Sequence, residues 1–373
     1  MRVLASIAIL VIGMPCAAAT VKDDPRGRDQ GPVVVDGRVF GSRALYLNSH
    51  YFYTSGKRCG LASHEEWLKN ARANGLLPEP RAAFTKMEKA FGPGDVLQIP
   101  VVVHIITASD GTTGDLTNSI VQSQIDILNE DFRALPGTNG ANGTDTMIQF
   151  VLADTDPVGG PSSGITRTAN DNWFADNDEI GFKTALRWDP NAYLNLYTNN
   201  TGALGYAYLP AGSAGQIWDG VVITYSAFGR NSPFPPYDQG RTATHEIGHY
   251  LGLHHVFDPW ADPAEPNPPD EGCPSGVPDC YSDDGDLICD TNPEAYETYG
   301  CPVGQQTCGS LDNIRNYLDY TNDTCMWEFT PEQTDRMRDQ IATYRSSLVT
   351  VASDVFTDGF ESGNTSAWSS SLP

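Results

Sequence analysis

Residues 245 to 255 read HEIGHYLGLHH, and their fixed positions fit the pattern H-E-x-x-H-x-x-G-x-x-H. His245 and His249 are four residues apart, so on a helix both imidazoles leave the same face and can bind one metal ion. A continued helix would rotate His255 away from them, but Gly252 can adopt the left-handed conformation that ends a helix and turns the chain back. The stretch therefore predicts a zinc site formed by His245, His249 and His255, with Glu246 beside it and one coordination position open for water.

The same stretch has a plainer interpretation, an amphipathic core helix that carries histidines by chance. Five fixed positions at the correct spacing weigh strongly against it. His254 falls at an unconstrained position of the pattern, and we interpret it as a neighbour of the site and not as a ligand.

The composition narrows the class of protein. The chain has 373 residues and a net charge of −24, with an isoelectric point near 4.4. Such acidity argues against a groove that binds nucleic acid. It is compatible with an extracellular protein and with calcium binding, and it establishes neither.

The N-terminus has the features of a secretory signal peptide. Arg2 precedes an apolar run from Val3 to Met14, and the small residues Ala17 to Ala19 supply a cleavage site before Thr20. The apolar run is too short to span a membrane, and no other stretch approaches the required length. We therefore expect residues 1–19 to be removed and the mature protein to be secreted, with no membrane partner.

Cysteine usage agrees with an exported protein. Of eight cysteines, Cys16 lies in the signal peptide, Cys59 stands apart, and six cluster between Cys273 and Cys325. An even cluster in an oxidising compartment predicts three disulfides. A second zinc site is the alternative, but the paired C-x-x-C spacing that it needs is missing.

Apolar patterns place the histidine motif in an α+β fold. The break at residues 92–94 precedes a long strand, and the predicted strands are Val96 to Thr107, Met147 to Ala153, Tyr193 to Tyr197 and Gly220 to Tyr225. The helix of the histidine motif is predicted to start near Arg241.

Two other helices are predicted. The first runs from Ser119 to Phe132 and begins with a Ser119–Gln122 capping box. The second runs from Pro331 to about Leu348 and is capped by Thr330. The fold class is therefore α+β: a twisted sheet with a backing helix and an active-site helix, followed by an irregular lower half, with the metal in the cleft between.

Further motifs resemble one family. They are IPVVVH at residues 99–104, LNEDF at 128–132, GITRT at 164–168 and NYLDY at 316–320, followed by Cys325 and Phe329-Thr330. With the histidine motif, they make residues 94–348 similar to the pappalysin family of metzincin zinc metalloproteases, including bacterial ulilysin-like enzymes. The resemblance implies a mostly parallel sheet above a disulfide-stapled lower subdomain. With the signal peptide (1–19) and the Ser-, Gly- and Thr-rich end of the chain, we divide the sequence into a signal peptide (1–19), a pro-segment (20–93), a catalytic domain (94–350) and a C-terminal tail (351–373).

The resemblance implies roles for residues near the zinc. Glu246 would be the general base toward a zinc-activated water, and Tyr320 would donate a hydrogen bond to the oxyanion. A buried packing residue is the alternative for Tyr320. Leu318 stands where the family usually has a methionine below the zinc. Because the two side chains have similar volumes, we expect activity to survive.

Two further assignments concern latency and specificity. Cys59, in the segment KRCG, resembles the cysteine switch of latent metalloproteases, in which a thiolate binds zinc until the pro-segment is removed. Asp323 matches a position that lines the S1′ pocket in ulilysin-like enzymes, which implies cleavage before Arg or Lys. The alternatives are a stray or intermolecular cysteine and a solvated aspartate.

The resemblance also implies how the lower half is held together. It pairs Cys273 with Cys308 and Cys301 with Cys325, which leaves Cys280 to pair with Cys289. The acidic loop that contains Asp286, Asp290 and Thr291 resembles the family's calcium-binding loop, and a solvated acidic loop is the alternative.

We therefore expect a secreted, monomeric zinc endopeptidase that is made as a latent zymogen and cleaves proteins or peptides, with zinc and structural calcium as cofactors. The alternative from another class is a catalytically weak or inactive secreted binding or adhesion protein on the same fold. Only Leu318 favours that alternative, and the complete histidine set with Glu246 argues against it.

Overall fold

The computed structural model describes residues 33–35, 38–40, 59, 91–257 and 286–352. Its strands are β1 (Val33–Val35), β2 (Arg38–Phe40), β3 (Val96–Thr107), β4 (Ile148–Leu152), β5 (Ile165–Ala169), β6 (Leu194–Asn199), β7 (Gly205–Ala207), β8 (Val221–Thr224) and β9 (Thr350–Ala352). Its helices are α1 (Asn118–Phe132), α2 (Asp171–Phe174), α3 (Glu179–Leu186), α4 (Pro210–Ser213), α5 (Arg241–Tyr250) and α6 (Pro331–Tyr344). None of these helices has both the length and the apolar character needed to cross a membrane.

A seven-stranded sheet organises this part of the chain. Its strands lie in the order β4-β3-β6-β8-β7, and the long strand β3 also pairs with β5 and β9. The pairings are parallel except that β7 is antiparallel to β8 and β9 is antiparallel to β3. Strand β3 is buried along most of its length, which explains why its sequence is a nearly continuous apolar run. The predicted α+β class with a mostly parallel sheet is confirmed.

The sheet separates two hydrophobic cores. On one face, α5 contributes Ala243 and Ile247 to the main core. On the opposite face, a smaller core contains Phe182 of α3, Tyr197 of β6 and Tyr206 of β7. Because successive side chains of a strand alternate between faces, a short edge strand such as β7 contacts both cores.

The chain after residue 286 is mostly irregular, with α6 and β9 as its regular elements. Cys301 and Cys325, one of the predicted pairs, form a disulfide with a Cα–Cα distance of 5.9 Å. Cys289 and Cys308 each belong to a further disulfide, and their predicted partners, Cys280 and Cys273, lie outside the described residues. Strand β9 carries the sheet to Ala352, two residues beyond the boundary predicted at 350.

The strands agree with the sequence predictions more closely than the helix ends do. Strand β3 has the predicted limits, and β4, β6 and β8 lie within two residues of theirs. Strands β5 and β7 and the short helices α2 to α4 were not predicted. They contain three to eight residues each, and so little periodic signal distinguishes them from loops.

The predicted cap of α1 was wrong. Thr117 is the N-cap, with an extended backbone, and its side chain accepts a hydrogen bond from the Ile120 N–H. Ser119 is already helical, and its hydroxyl contacts the Thr117 hydroxyl at 2.8 Å. A Thr and a Ser two residues apart offer competing caps, and the backbone conformation decides between them.

Helix α6 begins as predicted but ends earlier. Thr330 and Gln333 form a capping box and Pro331 occupies the first turn. The helix stops at Tyr344, four residues before the predicted end, because Arg345 leaves the helical conformation. Its buried guanidinium binds both carboxylate oxygens of Asp219, at 2.7 and 2.9 Å.

A buried histidine in β3 links three strands of the sheet. His104 Nε2 lies 2.9 Å from Asn195 Oδ1, and its Nδ1 lies 2.8 Å from Thr166 Oγ1. Because the Oδ1 of an amide only accepts, the ring is the Nε2–H tautomer and the Thr166 hydroxyl donates to Nδ1. Burial lowers the pKa of His104 from 6.5 to about 4.

This lowered pKa predicts a specific acid sensitivity. The unfolded chain takes up a proton at His104 near pH 6.5, whereas the folded chain does so only near pH 4. The free energy of unfolding should therefore fall by up to about 3 kcal/mol through this group as the pH drops across that window. The free energy of unfolding, measured with urea at several pH values, should fall less steeply with decreasing pH for His104→Gln than for the wild type. Parallel slopes for the two proteins would show that His104 does not titrate in this way.

Candidate active site

Helix α5 is held at both ends by side chains from the lower half. At its start, Asp323 Oδ2 accepts hydrogen bonds from the backbone N–H groups of Gln239 (2.9 Å) and Arg241 (3.2 Å). After its last turn, Gly252 has a φ of 97°, and its carbonyl accepts a hydrogen bond from Arg336 Nε at 2.6 Å. The left-handed turn predicted at Gly252 is present, and it brings the following chain back toward the helix.

The side chains of His245, His249 and His255 are buried, and their Nε2 atoms converge. The Nε2 of His249 lies 3.1 Å from that of His245 and 3.1 Å from that of His255. The Nδ1 of His245 lies 2.7 Å from the Tyr317 carbonyl, and that of His249 lies 2.8 Å from the Leu253 carbonyl. Because a carbonyl only accepts, both of these rings carry a proton on Nδ1 and present an Nε2 lone pair to one shared point.

The three nitrogens fit a zinc ion. Tetrahedral coordination with Zn–N bonds of about 2.0 Å would place ligand nitrogens about 3.3 Å apart, close to the 3.1 Å found here. An imidazole with a hydrogen-bonded Nδ1–H is also the form that binds zinc through Nε2. This donor set can supply three ligands and leave a fourth position.

A cysteine distant in sequence completes the cluster. Cys59 is buried, and its Sγ and one nitrogen from each histidine all lie within 4.8 Å of one another. The thiol also donates a hydrogen bond to Glu246 Oε2 at 3.3 Å. In the described part of the chain, no other group of three or more His, Cys, Asp or Glu side chains has metal-binding spacing.

Glu246 lies between the histidines and the edge strand β7. A Cβ on Gly205 would lie 2.8 Å from Glu246 Cγ, so this close approach requires glycine. Gly205 also forms a parallel β-bridge with Cys59. Because β8 pairs with one edge of β7, the backbone at Cys59 lies along the other edge, next to Glu246.

Aromatic side chains hold Tyr320 beside the histidines. Its ring centroid lies 5.7 Å from that of His245 and 5.1 Å from that of His255. Phe257 and Tyr299 pack on the same ring, at 4.9 and 5.9 Å. The ring is therefore fixed at the cluster, where the sequence predicts an oxyanion donor.

Leu318 lies in the main core under helix α5. It is fully buried, and a Cβ on Gly248 would lie 3.0 Å from Leu318 Cδ2. The leucine therefore packs on the helix backbone between His245 and His249, as a hydrophobic floor for the histidines.

A buried ion pair at the start of α5 was not predicted. Arg241 Nη2 lies 3.1 Å from Asp131 Oδ1 of α1, and Thr244 Oγ1 donates to Asp131 Oδ2 at 2.7 Å. Burial raises the pKa of Asp131 to about 6, against the opposing effect of the Arg241 charge. Asp131 belongs to the LNEDF motif, so the sequence signal was present but its role was not recognised.

Asp323 has a structural role that was also not recognised. It is fully buried, and both of its backbone hydrogen bonds at the start of α5 use Oδ2. Complete burial excludes the alternative of a solvated aspartate. The two hydrogen bonds fix the direction of the carboxylate.

The residues of the predicted calcium loop are hydrogen-bonded near the start of α6. Asp286 Oδ2 accepts from Thr291 Oγ1 at 2.9 Å, and Asp290 Oδ2 accepts from the Glu332 N–H at 2.9 Å. Asp286 and Thr291 are buried, whereas Asp290 is exposed. The Asp286 carboxylate therefore has a donor within the loop, and the Asp290 carboxylate has one in the first turn of α6.

These features define a metallopeptidase of the metzincin type. The sheet is mostly parallel, the histidine helix ends at a left-handed glycine, and a glutamate lies beside three converging imidazoles. The family model described as Pregnancy-associated plasma protein-A, a peptidase family, matches residues 177–342. With the relatives that follow, this match shows that the chain belongs to the pappalysin family of metalloendopeptidases.

The relatives cover most of the chain. An extracellular metalloprotease of Pyricularia oryzae is 33% identical over 298 residues, which are 78% of this chain and 90% of that protein. Mature mirolysin of Tannerella forsythia, in complex with a cleaved peptide, is 32% identical with a TM-score of 0.54, covering 69% of this chain and 100% of that one. A promirolysin mutant of the same organism is 27% identical with a TM-score of 0.56, covering 82% of this chain and 93% of that one.

Proposed function

We propose that the chain is the latent precursor of a secreted zinc endopeptidase. The convergence of Cys59 Sγ with three histidine nitrogens, next to Glu246, carries this proposal. The relatives named extracellular metalloproteases and the predicted signal peptide at residues 1–19 support secretion. The similarity to promirolysin supports a precursor form.

His245, His249 and His255 would hold the zinc, and Glu246 would move the proton. When bound, zinc lowers the pKa of a water molecule to about 7 and so supplies a nucleophile near neutral pH. The Glu246 carboxylate accepts the proton of this water and later delivers it to the leaving amine. Its position against Gly205 supports this role, because the close approach of β7 leaves the carboxylate little freedom to turn away.

Tyr320 would stabilise the charge that develops on the carbonyl oxygen of the substrate. A phenol hydroxyl donates a strong hydrogen bond to an oxyanion in a site with little water. Ring contacts with His245, His255, Phe257 and Tyr299 support this role, since they hold the phenol at the cluster before substrate arrives.

An extended substrate would lie along the edge of β7 where the Cys59 backbone lies in the latent form. Peptides commonly bind by adding a strand to such an edge. The bridge between Cys59 and Gly205 supports this placement, because it demonstrates backbone pairing at that edge beside Glu246. In this arrangement the pro-segment and the substrate compete for one surface.

Asp323 would select Arg or Lys at P1′, the residue after the scissile bond. A buried carboxylate favours a cationic partner. The hydrogen bonds from Gln239 and Arg241 support this role by holding the carboxylate in one orientation at the start of α5.

Calcium would stabilise the loop that contains Asp286, Asp290 and Thr291. Carboxylate and hydroxyl oxygens are the ligands that calcium prefers. The buried contact between Asp286 and Thr291 brings two such groups together near the start of α6.

Replacement of Glu246 by Gln tests the general base. Glu246→Gln should lose about 10²–10⁴-fold in peptide hydrolysis, because the amide cannot accept the proton. Zinc content, measured by mass spectrometry after the same removal of the pro-segment, should remain that of the wild type. His254→Gln changes an adjacent side chain outside the histidine cluster and is the matched control. Normal hydrolysis by Glu246→Gln would disprove the assignment.

Replacement of Cys59 tests latency. Full-length Cys59→Ala should hydrolyse a fluorogenic peptide about 10- to 100-fold faster than the full-length parent, which corresponds to the loss of one contact to a charged group. After the pro-segment has been removed, the two proteins should have equal activity. If Cys59→Ala is as inactive as the parent before processing, Cys59 is not the switch.

Replacement of Asp323 by Asn tests specificity. The amide oxygen can still accept the two backbone hydrogen bonds, so the fold should be kept while the charge is lost. Peptide-library profiling should find the preference for Arg or Lys at P1′ reduced by about tenfold or more. The same P1′ profile for both proteins would assign Asp323 to helix positioning alone.

Removal of calcium tests the loop. A calcium-selective chelator should lower Tm while the zinc content stays constant, because the loop carboxylates would lose a counter-ion. Added Ca²⁺ should restore Tm, and Mg²⁺ at equal concentration should not. A Tm that ignores the chelator would favour a loop held by its own hydrogen bonds.

A further inference from the structure

A buried lysine lies on the face of the sheet opposite the histidines. Lys183 of α3 is fully buried. Its Nζ lies 2.9 Å from the Trp218 carbonyl oxygen and 2.8 Å from Glu179 Oε1. Three rings surround the ammonium and form what we call the tyrosine cage, with centroids at these distances from Nζ: Tyr197 at 5.8 Å, Tyr206 at 5.8 Å and Tyr208 at 5.3 Å.

Two tyrosines of the cage lie in or directly after the edge strand β7 and attach it to α3 and the loop before it. Tyr206 belongs to β7, and its hydroxyl donates to Asp176 Oδ1 at 3.0 Å. Tyr208 follows β7 by one residue, and its hydroxyl donates to Glu179 Oε2 at 3.0 Å. Glu179 in turn pairs with Lys183. Cation–π contacts and hydrogen bonds to carboxylates are among the stronger interactions of buried groups.

The other contacts of β7 are comparatively small. The strand pairs with β8 over Gly205, Tyr206 and Ala207, with one further hydrogen bond from the Thr224 N–H to the Leu204 carbonyl at 2.7 Å. The residues that it turns toward α5 are glycine and alanine, whereas a buried tyrosine contributes about 150–250 Å² of contact area. We therefore expect the position of β7 relative to Glu246 to depend mainly on Tyr206 and on Tyr208, the residue that follows the strand.

We propose that Lys183 is a positioning residue that, through the tyrosine cage, sets the depth of β7 in the active-site cleft. The inference rests on the proposed function only in that substrate binds along β7. We call Lys183, Glu179 and the tyrosine cage the anchor of β7. Because Gly205 also forms a bridge with Cys59, this anchor affects both the binding of substrate and the position of the inhibitory cysteine.

Two variants loosen the anchor to different extents. Tyr206→Phe removes the hydrogen bond to Asp176 but keeps the ring. The double variant Lys183→Met/Glu179→Gln removes the buried charge pair from both sides, which avoids leaving one charge unpaired. Tyr193→Phe is the matched control, because it also removes one tyrosine hydroxyl bond, to the Thr155 carbonyl, at a site away from β7.

Two measurements follow each variant. In the full-length chain, the rate at which DTNB modifies Cys59 reports how tightly the cysteine is seated, without requiring catalysis. In the processed enzyme, KM and kcat are measured for a fluorogenic peptide that extends on both sides of the cleavage site. Thermal unfolding and near-UV circular dichroism establish that each variant is folded.

The double variant should raise the rate of Cys59 modification and the KM by about tenfold, and Tyr206→Phe by a smaller factor, with kcat within about twofold of the wild type. Tyr193→Phe should behave as the wild type. Unchanged KM and unchanged thiol reactivity in folded Tyr206→Phe and double variants would overturn the proposal, as would a loss confined to kcat. A wild-type protein that fails to hydrolyse peptides would instead refute the proposed function, while the DTNB rates would still test the anchor.

Discussion

The Nε2 atom of His249 is held 3.1 Å from the Nε2 atoms of His245 and His255, and the active site depends on this arrangement. The Nε2 lone pairs of His245 and His249 repel each other at that distance, so the chain must impose their convergence. It does so with two backbone carbonyls, those of Tyr317 and Leu253, which fix the rings of His245 and His249 from behind. The repulsion is relieved when a cation occupies the shared point, and the scaffold is therefore prepared for a metal.

The scaffold holds the histidine helix from all sides by different kinds of interaction. Asp323 accepts hydrogen bonds at the positive end of the helix, and Arg336 donates to the carbonyl of Gly252 just beyond its negative end. Both placements suit the direction of the helix dipole. Leu318 supplies apolar packing from below, and Arg241 with Asp131 ties the first turn to α1. We therefore expect Leu318 to replace the family's usual methionine, because that position contributes volume and no metal ligand.

The features that could be predicted from the sequence are those that local geometry alone decides. The apolar run of β3, the spacing of His245 and His249, and the left-handed turn at Gly252 could all be predicted because local geometry decides them. The N-cap at Thr117 and the early end of α6 could not, since they depend on competing local caps and on the distant partner of Arg345. The burial of Asp323, the pair of Asp131 with Arg241 and the cage around Lys183 join residues far apart in sequence, and no single stretch of the chain contains that information.

The pairing of β9 with β3 has a consequence for the chain as a topological object. Val96, near the start of the sheet's first strand, lies opposite Ala352, at the end of its last described strand. The two ends of the polypeptide between them are therefore held side by side by one short backbone ladder. Because ends that lie this close can be joined by a short linker, we expect a circularly permuted chain to fold with its new termini in the exposed turn around Val158.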